Sequence, residues 1–202
     1  MKREGIILII SAPSGAGKTT LCHKLLQRFP NMQESISYTT RLPRVGEVNG
    51  VDYFFVSRDE FQRMVEADAF AEWAEVHGNL YGTALATIEE ARKSGVDIVL
   101  DIDCQGARRL KEQIERCVYV FILPPSMEEL RRRLEDRSSD TQDVIEGRIE
   151  RAAAEIKEAR WYDYIIINDK LDAAFEELSA IVLAHSRKTF RMLGQVAKLF
   201  DI

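Results

Sequence analysis

Apolar positions along the chain follow two rhythms. Short, nearly unbroken apolar segments at about 6–10, 96–101, 118–123 and 163–167 alternate with longer stretches in which apolar residues return every three or four positions. The first rhythm suits strands buried on both faces, and the second suits helices that turn one face to a core. Their alternation predicts an α/β fold, a parallel sheet flanked by helices. Helices are expected near 18–29, 84–94, 104–115, 126–137, 141–160 and 171–192. The stretch from about 35 to 82 departs from this scheme. It carries the aromatic run Val51-Asp52-Tyr53-Phe54-Phe55, turn signals at Asn49-Gly50 and Gly78-Asn79, and one helical stretch near 59–67, which reads as a small mixed insertion laid over the main sheet. From Ser186 to Ile202, Arg187, Lys188, Arg191 and Lys198 interleave with Phe190, Leu193, Val196 and Leu199. This is the pattern of an amphipathic terminal helix, packed either on the core or on a second copy.

Composition narrows the class. A chain of 202 residues, 46% hydrophobic and 30% charged, is expected to build one domain around one sizeable core. Its net charge of -5 argues against a general nucleic-acid binder, so any polyanionic ligand must be met by basic residues gathered locally. The longest apolar runs, Ile6–Ile10 and Val118–Leu123, fall far short of the roughly 20 residues that cross a bilayer. Met1-Lys2-Arg3-Glu4 leads into a strand rather than a cleavage site, and a cytoplasmic location is expected. Cys22, Cys104 and Cys117 lack metal-type spacing and read as reduced thiols, while His23, His77 and His185 are too scattered for a zinc site.

The strongest chemical signal lies between the first strand and the first helix. Ala12-Pro13-Ser14-Gly15-Ala16-Gly17-Lys18-Thr19 matches the P-loop pattern, with Ala12 in place of its first glycine. In such a loop the backbone N–H groups face phosphates, the glycines allow close approach, and the following helix adds positive potential. Lys18 is expected to bridge the terminal phosphates of a nucleoside triphosphate and Thr19 to ligate Mg²⁺. Asp101, closing the Ile98-Val99-Leu100 run, reads either as an acidic partner of that magnesium, directly or through water, or as a helix cap. Ala12 affects backbone freedom at the loop entrance.

Further basic residues stand in the insertion, where Ser35-Ile36-Ser37-Tyr38-Thr39-Thr40-Arg41-Leu42-Pro43-Arg44 runs on through Gly46 and Asn49-Gly50 to Tyr53. Arg41 and Arg44, spaced by Pro43, read as an anion site of forked guanidinium groups or as a solvated basic loop. Glu72 beside Trp73 reads alone as a strand-edge charge. Taken together, the P-loop, this segment, Glu72 through Tyr81-Gly82-Thr83, and Asp101-Ile102-Asp103-Cys104-Gln105-Gly106 resemble the guanylate kinases of bacterial type, over nearly the whole chain to about Ala184.

The resemblance implies a P-loop kinase that transfers the γ-phosphoryl of MgATP to GMP and dGMP, giving ADP and GDP, within purine nucleotide metabolism and GMP recycling. It implies a single domain over 1–202, with a core of about 1–34, 84–125 and 160–202, a monophosphate-binding part of about 35–83 and a helical lid of about 126–159. Arg41, Arg44, Tyr53 and Tyr81 would hold the acceptor phosphate. Ser37, Glu72, Thr83 and Asp103 would surround its guanine, whose N1–H and exocyclic amine are donors that Glu72 and Asp103 can accept, while Ser37 and Thr83 donate to O6. Adenine offers no such donors at those positions, and sites of this kind discriminate by roughly 10⁴-fold.

In the run from Met127 to Thr141, Arg133 and Arg137 stand one helical turn apart and read as a solvated face, with Arg131 paired to Glu135, or as ligands of one anion. The resemblance implies the second reading. Arg133, Arg137 and Arg148 match lid arginines, whereas Arg132 and Arg151 match nothing. ATP would contact Ala12 to Thr19, Thr20, Arg133, Arg137 and Asn168, the last near the adenine, although Asn168-Asp169 alone reads as a turn. Lys18, Arg44, Arg137 and Arg148 would neutralise the migrating phosphoryl during in-line attack without a covalent intermediate or general base. Three rival readings remain: a kinase of the same scaffold acting on another phosphate, a silent peptide-binding domain, and a nucleotide-dependent switch. The intact P-loop and the set of Glu72, Thr83 and Asp103 speak against them.

Overall fold

A computed structural model describes residues 3–76, 78–137 and 141–201, with the side chain of Arg137 outside the description, as is His77. In chain order the elements are β1 (Ile7–Ser11), α1 (Lys18–Arg28), β2 (Met32–Glu34), β3 (Tyr38–Thr39), β4 (Phe54–Phe55), α2 (Arg58–Glu66), β5 (Phe70–Val76), β6 (Asn79–Ala84), α3 (Leu85–Ser94), β7 (Asp97–Asp101), α4 (Cys104–Gln113), β8 (Val118–Leu123), α5 (Met127–Arg137), α6 (Gln142–Lys157), β9 (Tyr164–Ile167), α7 (Leu171–Ser186) and α8 (Thr189–Phe200). A 3₁₀ turn, Glu158–Trp161, joins α6 to β9.

Five strands form a parallel sheet in the order β2-β7-β1-β8-β9, with Ile9 at its centre paired to Leu100 on one side and Tyr119 on the other. Every residue of β1 is buried, which accounts for its unbroken apolar run. Leu8 and Ile10 pack with Leu21, Leu25, Leu178 and Val182 of α1 and α7, whereas Ile7 and Ile9 face Ile88, Ala107 and Leu110 of α3 and α4. Because all five strands run the same way, the ends of β1, β7, β8 and β9 share one edge. That edge carries the glycine-rich loop, Asp101 to Asp103, and Asn168, and in open parallel sheets it is where ligands bind.

The insertion forms its own four-stranded mixed sheet, β4-β3-β6-β5, closed by Phe61, Phe70 and Leu80. Two expectations need correction. Met32–Glu34 is a fifth strand of the main sheet, unannounced because only Met32 of its three residues is buried. The helix expected over 171–192 breaks at Arg187-Lys188, and α8 starts afresh. Arg191, placed by pattern on a polar face, is instead buried and donates to the carbonyls of Glu4 (2.8 Å) and Gly5 (2.5 Å). The start of α8 is thereby tied to this chain's own N-terminal segment. Among the described residues no helix is long and apolar enough to cross a membrane.

Candidate active site

The glycine-rich loop leaves β1 and turns into α1 through Gly15 and Gly17, whose φ angles of 93° and 91° lie in the left-handed region. Ala12 is not among the residues with positive φ, and it packs against the core under α1. An alanine there therefore costs the loop no backbone freedom that it uses. No side chain caps α1, so its first N–H groups remain for a ligand. A cavity of about 380 Å³ is lined by Ala12 to Thr19 together with Asp101 and Glu155.

Lys18 forms an ion pair with Asp101 and lies 3.5 Å from the carbonyl of Ile102. Asp101 thus faces the loop, and the cap of α4 is Asp103, whose Oδ1 accepts the Gly106 N–H at 2.8 Å. Thr19 and Thr20 are exposed at the loop's end. The Thr19 hydroxyl and the Asp101 carboxylate are hard oxygen donors on one cavity wall, suited to a Mg²⁺ ion that takes its remaining ligands from phosphate and water.

Asn168 is 5% exposed, and its side-chain amide donates to the carbonyl of Ala16 at 2.8 Å, beneath the loop. Its own carbonyl accepts from Arg133 at 3.0 Å. The amide expected near adenine also holds the phosphate loop, because the end of β9 lies beside the loop that follows β1.

A second cavity, of about 220 Å³, is lined by Ser37, Tyr53, Glu72, Ala74, Val76, Tyr81, Asp101, Ile102 and Asp103. It gathers residues that lie far apart in sequence, since β5 of the small sheet, paired to β6, stands against α4, which follows β7 of the large one. Asp101 lines both cavities, so the two are contiguous. Glu72 is buried, and Thr83 Oγ1 donates to its Oε1 at 2.6 Å. Burial, reinforced by Asp103, raises the carboxyl of Glu72 to about 7 against the pull of the Thr83 hydrogen bond. The Thr83 hydroxyl, expected from the resemblance to face a guanine O6, is engaged with Glu72 here and orients that carboxylate.

At the mouth of this cavity Arg41 is clamped by Glu47, NH1 to Oε2 at 3.0 Å and NH2 to Oε1 at 2.8 Å, and lies over the rings of Tyr53 and Phe55. Glu47 also accepts the Arg44 backbone N–H at 2.7 Å, so one carboxylate organises the loop that carries both arginines. Sequence reading passed over Glu47. The signal available was an acid between the turn glycines Gly46 and Gly50, six residues after Arg41.

Leu130 and Leu134 of α5 pack with Ile145 and Ala152 of α6 and close over Gly15. Arg133 pairs with Glu129 at 2.8 Å and reaches Asn168, so it lies on the loop side of α5. Arg132 stays in exposed ion pairs with Glu129 and Asp136. Arg131 bridges to Glu146 on α6 rather than to Glu135. Arg148 lines a third cavity of about 340 Å³ with Ser14, Glu75, Asp103, Gln105, Arg151 and Glu155. Arg151 and Glu155, unassigned from sequence, project from the same helix into this space. The side chain of Arg137 and residues 138–140 lie outside the described residues.

The family model "Guanylate kinase" matches residues 4–185. A guanylate kinase of Geobacter metallireducens is 61% identical over 202 residues, covering the whole of both chains, and one of Geobacter sulfurreducens is 60% identical over the same span. The crystal structure of guanylate kinase from Anaplasma phagocytophilum superposes with a TM-score of 0.77 at 38% identity, covering 99% of this chain and 97% of that one.

Proposed function

The chain belongs to the guanylate kinase family, enzymes of phosphoryl transfer between ATP and GMP, and from that premise we propose how its own residues carry the transfer. The observation that carries the reading is the contiguity of the two cavities through Asp101. An acceptor phosphate held between Arg41, Arg44, Tyr53 and Tyr81 would face the triphosphate end in the P-loop cavity. Its oxyanion is already a nucleophile, so an oxygen of the monophosphate attacks the γ-phosphorus in line as the bond to the ADP oxygen breaks, with no general base and no covalent enzyme intermediate.

Lys18, Arg44, Arg137 and Arg148 would spread the charge of the migrating group, which is the main work left to the protein in such a reaction. Magnesium, held by Thr19 and Asp101, would supply further neutralisation of the phosphates. Arg133, already tied to the loop through Asn168, serves as a bridge from lid to P-loop. The division into core, monophosphate-binding part (about 35–83) and lid (about 126–159) follows the separate small sheet and the separate α5–α6 cluster.

Guanine would be read by Glu72 and Asp103 as acceptors of N1–H and the exocyclic amine, with Ser37 at O6. None of these residues addresses the ribose 2′-position, which supports dGMP as a second acceptor. We place the enzyme in the cytoplasm, in purine nucleotide recycling; three free thiols suit that reducing compartment. The direct test is ADP release from MgATP with GMP, dGMP, AMP, CMP or UMP, against a control without acceptor. Rapid release with GMP, slower with dGMP and negligible with the rest is expected; equal rates with AMP would overturn the base-reading assignment.

A further inference from the structure

The third residue of α4 is a glycine for which the helix itself has no use. Gly106 has no positive φ, so its backbone is open to any residue, and alanine forms helix better than glycine. What it does have is a neighbour. A Cβ built on Gly106 would lie 2.6 Å from Glu72 Oε2 and 3.1 Å from Glu72 Cδ, well inside van der Waals contact. The carboxylate cannot pivot freely away, because its other oxygen is pinned by Thr83 at 2.6 Å and its side chain is buried. Restoring an ordinary contact of about 3.4 Å needs a displacement of nearly 1 Å, and Glu72 is a wall of the cavity where the purine is placed, so either way its carboxylate leaves the reading position.

We infer that Gly106 is a specificity-determining positioning residue, the gap in α4 that lets the Glu72 carboxylate sit where it reads the acceptor base. The first turn of α4 supports both acids at once. Its Asp103 cap is held by the Gly106 N–H, and Glu72 packs against the same turn, near the positive end of the helix. The inference rests on the proposed role of Glu72.

The experiment is a double-mutant cycle, Gly106→Ala with Glu72→Ala, in the full-length enzyme, measuring KM and kcat for GMP, KM for ATP, and thermal stability. Gly106→Ala is expected to raise the KM for GMP by about 10- to 100-fold, the scale of a 1 Å misplacement, while KM for ATP changes less than about twofold and melting is not lowered. In the Glu72→Ala background, where the clash is gone, Gly106→Ala should change the GMP KM by less than about twofold. Gly147→Ala, also mid-helix but with open space at its Cβ, should leave the GMP KM unchanged. Full additivity of the two substitutions, or an unchanged GMP KM in Gly106→Ala, would overturn the inference. If Glu72→Ala itself leaves GMP use unaltered, it is the base-reading role of Glu72 that fails.

Discussion

Glu72 holds a carboxyl largely withdrawn from water, and the cost can be worked out. Its pKa rises from the usual 4.5 to about 7 in the folded protein, chiefly through burial. Each pKa unit is worth about 1.4 kcal/mol, so the folded state prefers the protonated form by about 3 kcal/mol relative to the unfolded chain. The sign follows from which state holds the proton more tightly. With the folded pKa raised, the contribution to stability is full below about pH 4.5, is lost progressively as pH rises from there, and is gone above about pH 7. Between pH 5 and pH 8 about 2–3 kcal/mol of stability is lost through this group.

Glu72→Gln removes the titration but keeps an oxygen to accept from Thr83. The stability difference between the variant and the natural enzyme should therefore grow in the variant's favour by about 2–3 kcal/mol from pH 5 to pH 8. Urea unfolding at the two pH values measures it, and every other titrating group cancels in the comparison. The same variant should lose GMP affinity by at least about tenfold, because a donor amide now faces the donors of guanine. A stability difference that stays the same at both pH values would refute the argument that a buried, ionisable carboxylate is held here at a cost to folding.

Four further outcomes are expected. Lys18→Ala should nearly abolish transfer while leaving GMP binding measurable by titration calorimetry, and normal turnover would remove the P-loop from the mechanism. Asn168→Ala strips the buried carbonyl of Ala16 of its donor, so stability should fall by about 1–2 kcal/mol and the KM for ATP should rise, both readable from melts and steady-state rates. Glu47→Gln should loosen the loop that carries Arg41 and Arg44 and raise the KM for GMP by about tenfold with a smaller change in kcat. Thr83→Val deletes the hydroxyl donor to Glu72, pushing its carboxyl higher still, so the pH at which GMP affinity becomes maximal should move upward.

The architecture was legible because its strongest elements are local. β1 is apolar from Ile7 to Ile10 and leads into the glycine-containing loop and a helix, so local pattern and motif together place the phosphate loop. The acceptor site was legible by another route, since nothing local about Glu72, a single acid between Ala71 and Trp73, announces a reader of bases. Resemblance supplied that assignment, and the fold shows its condition: β5 must stand against α4 before Glu72 and Asp103 line one cavity. What escaped sequence reading are the supports. Thr83 as the donor to Glu72, Asn168 as a strut under Ala16, and Arg191 seated on Glu4 and Gly5 are polar side chains whose partners are set by tertiary proximity across up to 187 positions. Their residue types match turns and surfaces as well as they match buried contacts.

Several of the cations assigned to phosphate share one property. Lys18 is paired with Asp101, Arg41 with Glu47, and Arg133 with Glu129. Binding a phosphate at these points is therefore an exchange of anions rather than the capture of an anion by bare charge. The gain is the difference between two ion pairs, each with its own desolvation, and it is smaller than either. An enzyme that must release two phosphorylated products each turnover benefits from that arithmetic: the internal carboxylates remain at hand to retake the cations, and departure of product leaves no unpaired buried charge. It follows that removing Glu47 or Glu129 is not a simple way to tighten substrate. The carboxylate that competes with the ligand also holds the guanidinium in the place where the ligand finds it.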